Sequence, residues 1–213
     1  MTESRTAREL AGRPGIGEWL FDPFVYVGGG RSLIIGIVAI VIAGYLGSLS
    51  RTHFDGVLDM HTGLGMPTWV FLLEGIVDWL SLGLVLFIAG KLVRKTSFRA
   101  RDLFGTQAMA RWPTVLIAAV ALAPGYQRFV WALARQLARA GPPVALSAGD
   151  IASFVPAMLV IVLALIWMVV LMYRSYSICC NVRGLAAAVS FVIGLLVAEA
   201  GSKLAVIALL RAA

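Results

Sequence analysis

The chain has 213 residues, 60% of them apolar and only 14% charged, with 18 basic against 11 acidic side chains. A soluble domain is about 45–50% apolar and about a quarter charged, so this composition excludes a soluble globule and leaves one membrane domain. The net charge of +7 does not point to nucleic acid. The basic excess lies in short loops between apolar runs, where it sets topology and meets anionic lipid.

Residues 1–31 read as a cytoplasmic or interfacial N-terminal segment, and 32–213 as a five-span membrane domain. The opening MTESRTARELAGRPG lacks the basic start, short apolar run and small-residue cleavage site of a signal peptide, so insertion is expected to rely on the internal spans. EWLFDPFVY (18–26) mixes aromatics and acids around Pro23, as an interfacial segment would. Gly28-Gly29-Gly30 reads as a turn; no strand precedes it and no lysine follows, so it is not a phosphate loop.

The first span is 32–49, without a charge, with Gly36, Gly44 and Gly47 as close-approach positions. Residues 51–68 form a polar connector holding His53, Asp55, Asp59 and His61. These side chains suit a divalent metal. However, Gly56, Gly63, Gly65 and Pro67 argue for an ordinary solvated loop, so the metal reading is weak and no cofactor is expected.

The second span, WVFLLEGIVDWLSLGLVLFIAGKLV (69–93), is apolar enough to cross a bilayer yet carries Glu74 and Asp78. Four residues apart, these carboxylates share one helix face. An ionisable group at membrane depth costs at least ~2.5–3.5 kcal/mol, so it faces a protein interior or a water-filled cavity.

SFRARDLFGTQAMARWP (97–113) alternates apolar residues with Arg99, Arg101, Asp102 and Arg111, and predicts an interfacial amphipathic helix. The third span is short: residues 112–123 reach across only if the helix begins near Thr106. Residues 126–140 then read as a second amphipathic helix. The alternative is a re-entrant hairpin over 112–138 with Pro124-Gly125 at its tip; a span plus a surface helix is preferred. Gly141-Pro142-Pro143 breaks the chain. The fourth span is 151–172, with Asp150 just before it and Pro156 inside. Cys179-Cys180 is too close in sequence to bridge and reads as two small apolar residues at a helix boundary; lipidation or soft-metal binding is the alternative. The fifth span, 184–210, carries Glu199 and Lys203 four residues apart.

The stretch 91–111 holds six basic residues against one acid, and Arg174 and Arg183 flank the connector on the same side. The positive-inside rule makes that side cytoplasmic, with the N-terminus inside and the C-terminus outside. Arg128, Arg135 and Arg139 fall on the other side and oppose this bias. At 1.5 Å per residue Glu74 lies roughly 8 Å and Asp78 roughly 14 Å below the outer end. Glu199 and Lys203 fall in the same half. One expectation is a polar clasp, Glu74 or Asp78 pairing with Lys203; the other is a proton or cation site, with Lys203 reaching out toward the interface.

The Phe21-Asp22-Pro23-Phe24 start, the phenylalanine-led stretch 97–113 ending in a proline, and the tryptophan-containing exit of the fourth span, IWMVVLMYRSYSICCNVRGLAAAV, resemble the Yip family of Ypt-interacting proteins. The resemblance implies an all-α polytopic membrane helix bundle of about five transmembrane helices plus interfacial amphipathic helices. It also implies a non-enzymatic scaffold or adaptor in membrane organisation or trafficking, partnered by the bilayer and by a protein or a second copy. Eukaryotic members bind small GTPases and carry a long polar N-terminal domain that this sequence lacks; the short loops and the absence of a signal peptide suit a bacterial inner membrane. The alternative is a small cation- or proton-coupled transporter using Glu74, Asp78, Glu199 and Lys203. A membrane enzyme is not expected, because no Ser-His-Asp set is present and both histidines share one loop.

Overall fold

A computed structural model describes residues 15–63, 65–93, 97–139 and 144–212. Residues 1–14, the Arg94-Lys95 pair and the Gly141-Pro142-Pro143 break lie outside them. The described residues are mostly helical. Helix α1 (Ile16–Phe21) and a 3-10 turn (Pro23–Val25) lead into α2 (Gly29–Ser50). A two-stranded hairpin follows, β1 (Thr52–His53) and β2 (His61–Thr62), paired antiparallel with Thr52 opposite Thr62 and His53 opposite His61. Then come α3 (Thr68–Val93), α4 (Ala100–Ala110), α5 (Pro113–Val120), α6 (Pro124–Leu137), α7 (Ala148–Cys179) and α8 (Gly184–Ala212).

Helices α2, α3, α7 and α8 are each long and apolar enough to cross a membrane. A bent pair, Ala100–Val120 and Pro124–Leu137, whose axes differ by 86°, makes a fifth if it counts as one span. Its first arm links the two ends of the bundle. A Cβ on Gly105 in α4 would meet the Gly29 carbonyl at the start of α2. The α6 residues Gln127 and Arg128 lie instead with Leu49 and Arg51 at the end of α2. The chain therefore runs from one end of the bundle to the other through α4 and α5 and turns aside at α6. The crossing starts at Ala100, earlier than Thr106, and breaks for one turn because Pro113 has no N–H to continue the ladder. Pro124 begins α6 in the same way.

One sequence expectation is overturned here. The 97–113 stretch is no surface helix: Leu103 and the whole run Gly105–Ala110 are buried. Helix α4 packs inside the bundle, in contact with α2, α3 and α7. Glycine makes the α2–α4 contact possible, since any side chain at Gly36 would run into the Ala108 backbone. Two polar side chains inside α4 reach distant partners. The Gln107 amide donates to the Met172 carbonyl at 2.9 Å, and Ser175 donates to the Thr106 hydroxyl at 2.7 Å.

The long spans end as their sequences direct. Ser147 and Asp150 form a capping box at the start of α7, the Asp150 carboxylate accepting from the Ser147 N–H at 3.0 Å. Pro156 stays inside that helix. Arg51 stops α2 in the left-handed conformation at φ 56°. Cys179 and Cys180 are free thiols at the end of α7, with Cys180 buried. The 15–27 segment folds onto α7: the Trp167 indole donates to the Leu20 carbonyl at 2.8 Å, and Arg174 lies 3.7 Å from Asp22.

Candidate functional site

The connector expected to be a solvated loop is fastened into one end of the bundle. Val57 at its centre is 1% exposed and joins the main apolar core with Leu195 and Ala198. Three sets of charged residues hold it there or lie beneath it.

The first is Glu74 on α3, which is 2% exposed. It accepts from the His53 ring at 2.7 Å and from the Phe54 N–H at 3.2 Å. His53 is clamped between aromatic faces, stacked on Phe71 at 4.3 Å and on His61 at 5.4 Å between centroids. The second is Glu199 on α8, which accepts from the Leu58 N–H at 2.8 Å. Gly56 lets the loop approach it; a Cβ there would strike the Glu199 carboxylate. Lys203, one turn beyond Glu199, reaches Asp59 at 2.6 Å and Glu199 at 3.4 Å. That hydrogen bond from Lys203 holds the Asp59 carboxyl below its ordinary value against the opposing effect of burial.

The third lies one helical turn deeper. Asp78 faces Arg111 at 3.1 Å, with side chains 0% and 2% exposed. The contact uses one atom of each group; among the described residues, Asp78 Oδ1 and Arg111 Nη1 have no hydrogen-bond partner. A cavity of about 10 Å³ beside Arg111 and Thr114 has room for one water molecule.

The four predicted residues Glu74, Asp78, Glu199 and Lys203 thus gather at one end of the bundle, but with different partners. Lys203 does not pair with Glu74. It lies with Asp59 and Glu199, while the loop supplies His53 to Glu74. Arg111, placed by pattern on a surface helix, is the buried cation of the cluster. A signal for it existed: a span starting near Thr106 already contains Arg111, and an intramembrane arginine requires an acid partner.

Of the four weak metal candidates, His53 is taken by Glu74, while Asp55, Asp59 and His61 place one ligand atom each within 4.8 Å of one another. Carboxylate and imidazole would suit a divalent cation. Asp59 is already bound to Lys203 and the His61 side chain is 48% exposed, so the trio is an open set at the mouth of the cluster.

The chain matches no family model, no curated protein and no solved structure.

Proposed function

We propose that this membrane-embedded chain is a non-enzymatic scaffold or adaptor of the Yip type. The observation that carries this reading is the pairing of the intramembrane charges. Glu74, Asp78, Glu199 and Lys203 each close on a group from another element of the same chain. Charges spent on fastening a loop and joining helices act as a clasp, and a clasped bundle is suited to presenting fixed surfaces. Two such surfaces flank it: α1 with exposed Ile16 and Trp19, and α6 with exposed Trp131.

The Yip resemblance draws support from where its three stretches meet. Phe21 lies 6.4 Å and Trp112 lies 4.4 Å from Trp167, ring centre to ring centre. Residues from the first stretch, the second and the third thus form one aromatic contact. Placement in a bacterial inner membrane with the N-terminus cytoplasmic is part of the same proposal. Moving Arg111 into the interior still leaves Lys91, Arg94, Lys95, Arg99 and Arg101 on the proposed cytoplasmic side.

Native mass spectrometry of gently solubilised protein from its own membranes tests the reading. A stoichiometric protein partner or a defined homo-oligomer is expected. A monomer carrying only a small ion or metabolite would overturn it.

One observation favours a second reading, a proton- or cation-coupled transporter. Five carboxylates (Asp55, Asp59, Glu74, Asp78 and Glu199) gather around two permanent cations, Arg111 and Lys203. The excess of acids would attract a proton or a cation. Flux driven by a pH gradient into reconstituted vesicles, abolished by Glu74→Gln, would establish this reading and displace the scaffold.

A further inference from the structure

Two cavities adjoin α6, and Thr62 of the hairpin lines both. The first, of about 330 Å³, is lined by Arg51, Thr62, Gln127, Arg128 and Trp131, among others. Its charged lining side chains are both arginines. The second, of about 450 Å³, is walled largely by apolar side chains, Val130, Leu133 and Leu137 of α6 and Phe154, Met158 and Leu165 of α7. Its polar rim is Asp59 and His61, and Asp59 is neutralised by Lys203.

Their placement relative to the membrane matters. Helix α6 is level with the first turns of α7, because Arg128 binds Asp150 at 2.7 Å and Tyr126 and Phe129 stack on Phe154. The apolar groove then descends α7 from Phe154 to Leu165, about 16 Å at 1.5 Å per residue. That path lies along a membrane-spanning helix, where the surrounding solvent is acyl chain. The basic cavity sits at the top of the path, at the depth of lipid headgroups, beside an exposed tryptophan of the kind that favours that level.

We infer that α6 and the β1–β2 hairpin form a binding site for one anionic phospholipid, with its phosphate between Arg51 and Arg128 and one acyl chain along α7. Charge complementarity selects the occupant. Arg51 has no acid partner among the described residues. Arg128 binds Asp150 through Nε and Nη2, and with its side chain 69% exposed it keeps further N–H donors for a phosphate. Thr62 and Gln127 add hydroxyl and amide donors at the same level. The inference stands apart from the scaffold reading, since a transporter could carry the same site.

The test uses the purified, delipidated full chain and native mass spectrometry with dioleoylphosphatidylglycerol as the probe. One lipid per chain is expected to be retained. Arg51→Gln and Arg128→Gln are each expected to weaken retention about tenfold. Ala134→Trp, which fills the groove and removes no charge, is expected to abolish it while the helical circular-dichroism signal stays unchanged. Should Arg128→Gln unseat α6 by releasing Asp150, Arg51→Gln decides the matter, because the Arg51 side chain makes no ion pair among the described residues. Equal retention in the wild type, Arg51→Gln and Ala134→Trp would overturn the site. Dioleoylglycerol bound as tightly as the phospholipid would overturn the phosphate half of it.

Discussion

Two ion pairs at the same end of the bundle illustrate different physics. Asp78 and Arg111 meet in the interior, with side chains 0% and 2% exposed; Asp59 and Lys203 meet at the mouth, with side chains 39% and 40% exposed. The mouth pair is the shorter, at 2.6 Å against 3.1 Å. Length alone would rank it as the stronger. Burial reverses the order, because water at the mouth solvates either partner if the other is lost, whereas nothing replaces a lost partner inside. The deep pair is costly to break, and the outer pair is a contact the fold can do without.

The largest effect should follow from splitting the deep pair. Arg111→Met strands Asp78 and is expected to cost about 3–5 kcal/mol of stability, measured by SDS-induced unfolding in mixed micelles. The double variant Asp78→Leu/Arg111→Met removes both charges and should recover most of that loss. If the single variant cost no more than a mouth variant, the ranking by burial would be wrong.

Glu74→Gln comes next. It keeps the shape but removes the charge that the His53 ring and the Phe54 N–H address, for about 1.5–3 kcal/mol. Its signature is local: hydrogen exchange should speed up at the amides of 53–58 while α7 stays protected. Uniform acceleration across the bundle would mean that the loop is not a separately fastened part.

At the mouth, Lys203→Met is expected to cost less than ~1 kcal/mol. A double-mutant cycle should give coupling between Lys203 and Asp59 and none between Lys203 and Glu74. Coupling to Glu74 would restore the pairing read from sequence.

The smallest effect is a pH dependence. Folding lowers the Asp59 carboxyl below its ordinary value of 3.8, so the unfolded chain takes up that proton first. The stability difference between wild type and Asp59→Asn should therefore be fully present above that ordinary value. It should shrink as pH falls through the lowered one. A difference that grew on acidification would contradict the Lys203 contact.

The long spans were legible because lipid imposes a simple rule, an uninterrupted apolar run. The fourth and fifth, read as 151–172 and 184–210, lie inside Ala148–Cys179 and Gly184–Ala212. Helix α4 obeys a rule that cannot be read locally. Arg111 reads as part of a wetted face, yet its partner Asp78 stands 33 residues away, and Thr106 and Gln107 beside it bond to Ser175 and Met172, 69 and 65 residues away. The hairpin misled for the same reason. Its glycines suggest a loose loop, and its order comes from Glu74 and from Glu199, the latter 141 residues beyond Leu58. The carboxylates of the cluster were found because acids in apolar helices are conspicuous. Their partners were missed because a histidine in a loop and an arginine beside a short span are not.

The order in which the two deep charges leave the ribosome has its own consequence for membrane insertion. Asp78 lies 33 residues ahead of Arg111 in the chain. The helix bearing the acid can therefore be seated in the bilayer before the helix bearing the base arrives. An arginine entering lipid alone faces a barrier of at least ~2.5–3.5 kcal/mol, and a waiting carboxylate lowers it. Helix α4, too polar to partition by itself, is then recruited by its neighbour. Substituting Asp78 should show first as failed integration of that segment during synthesis, ahead of any loss of stability in protein already assembled.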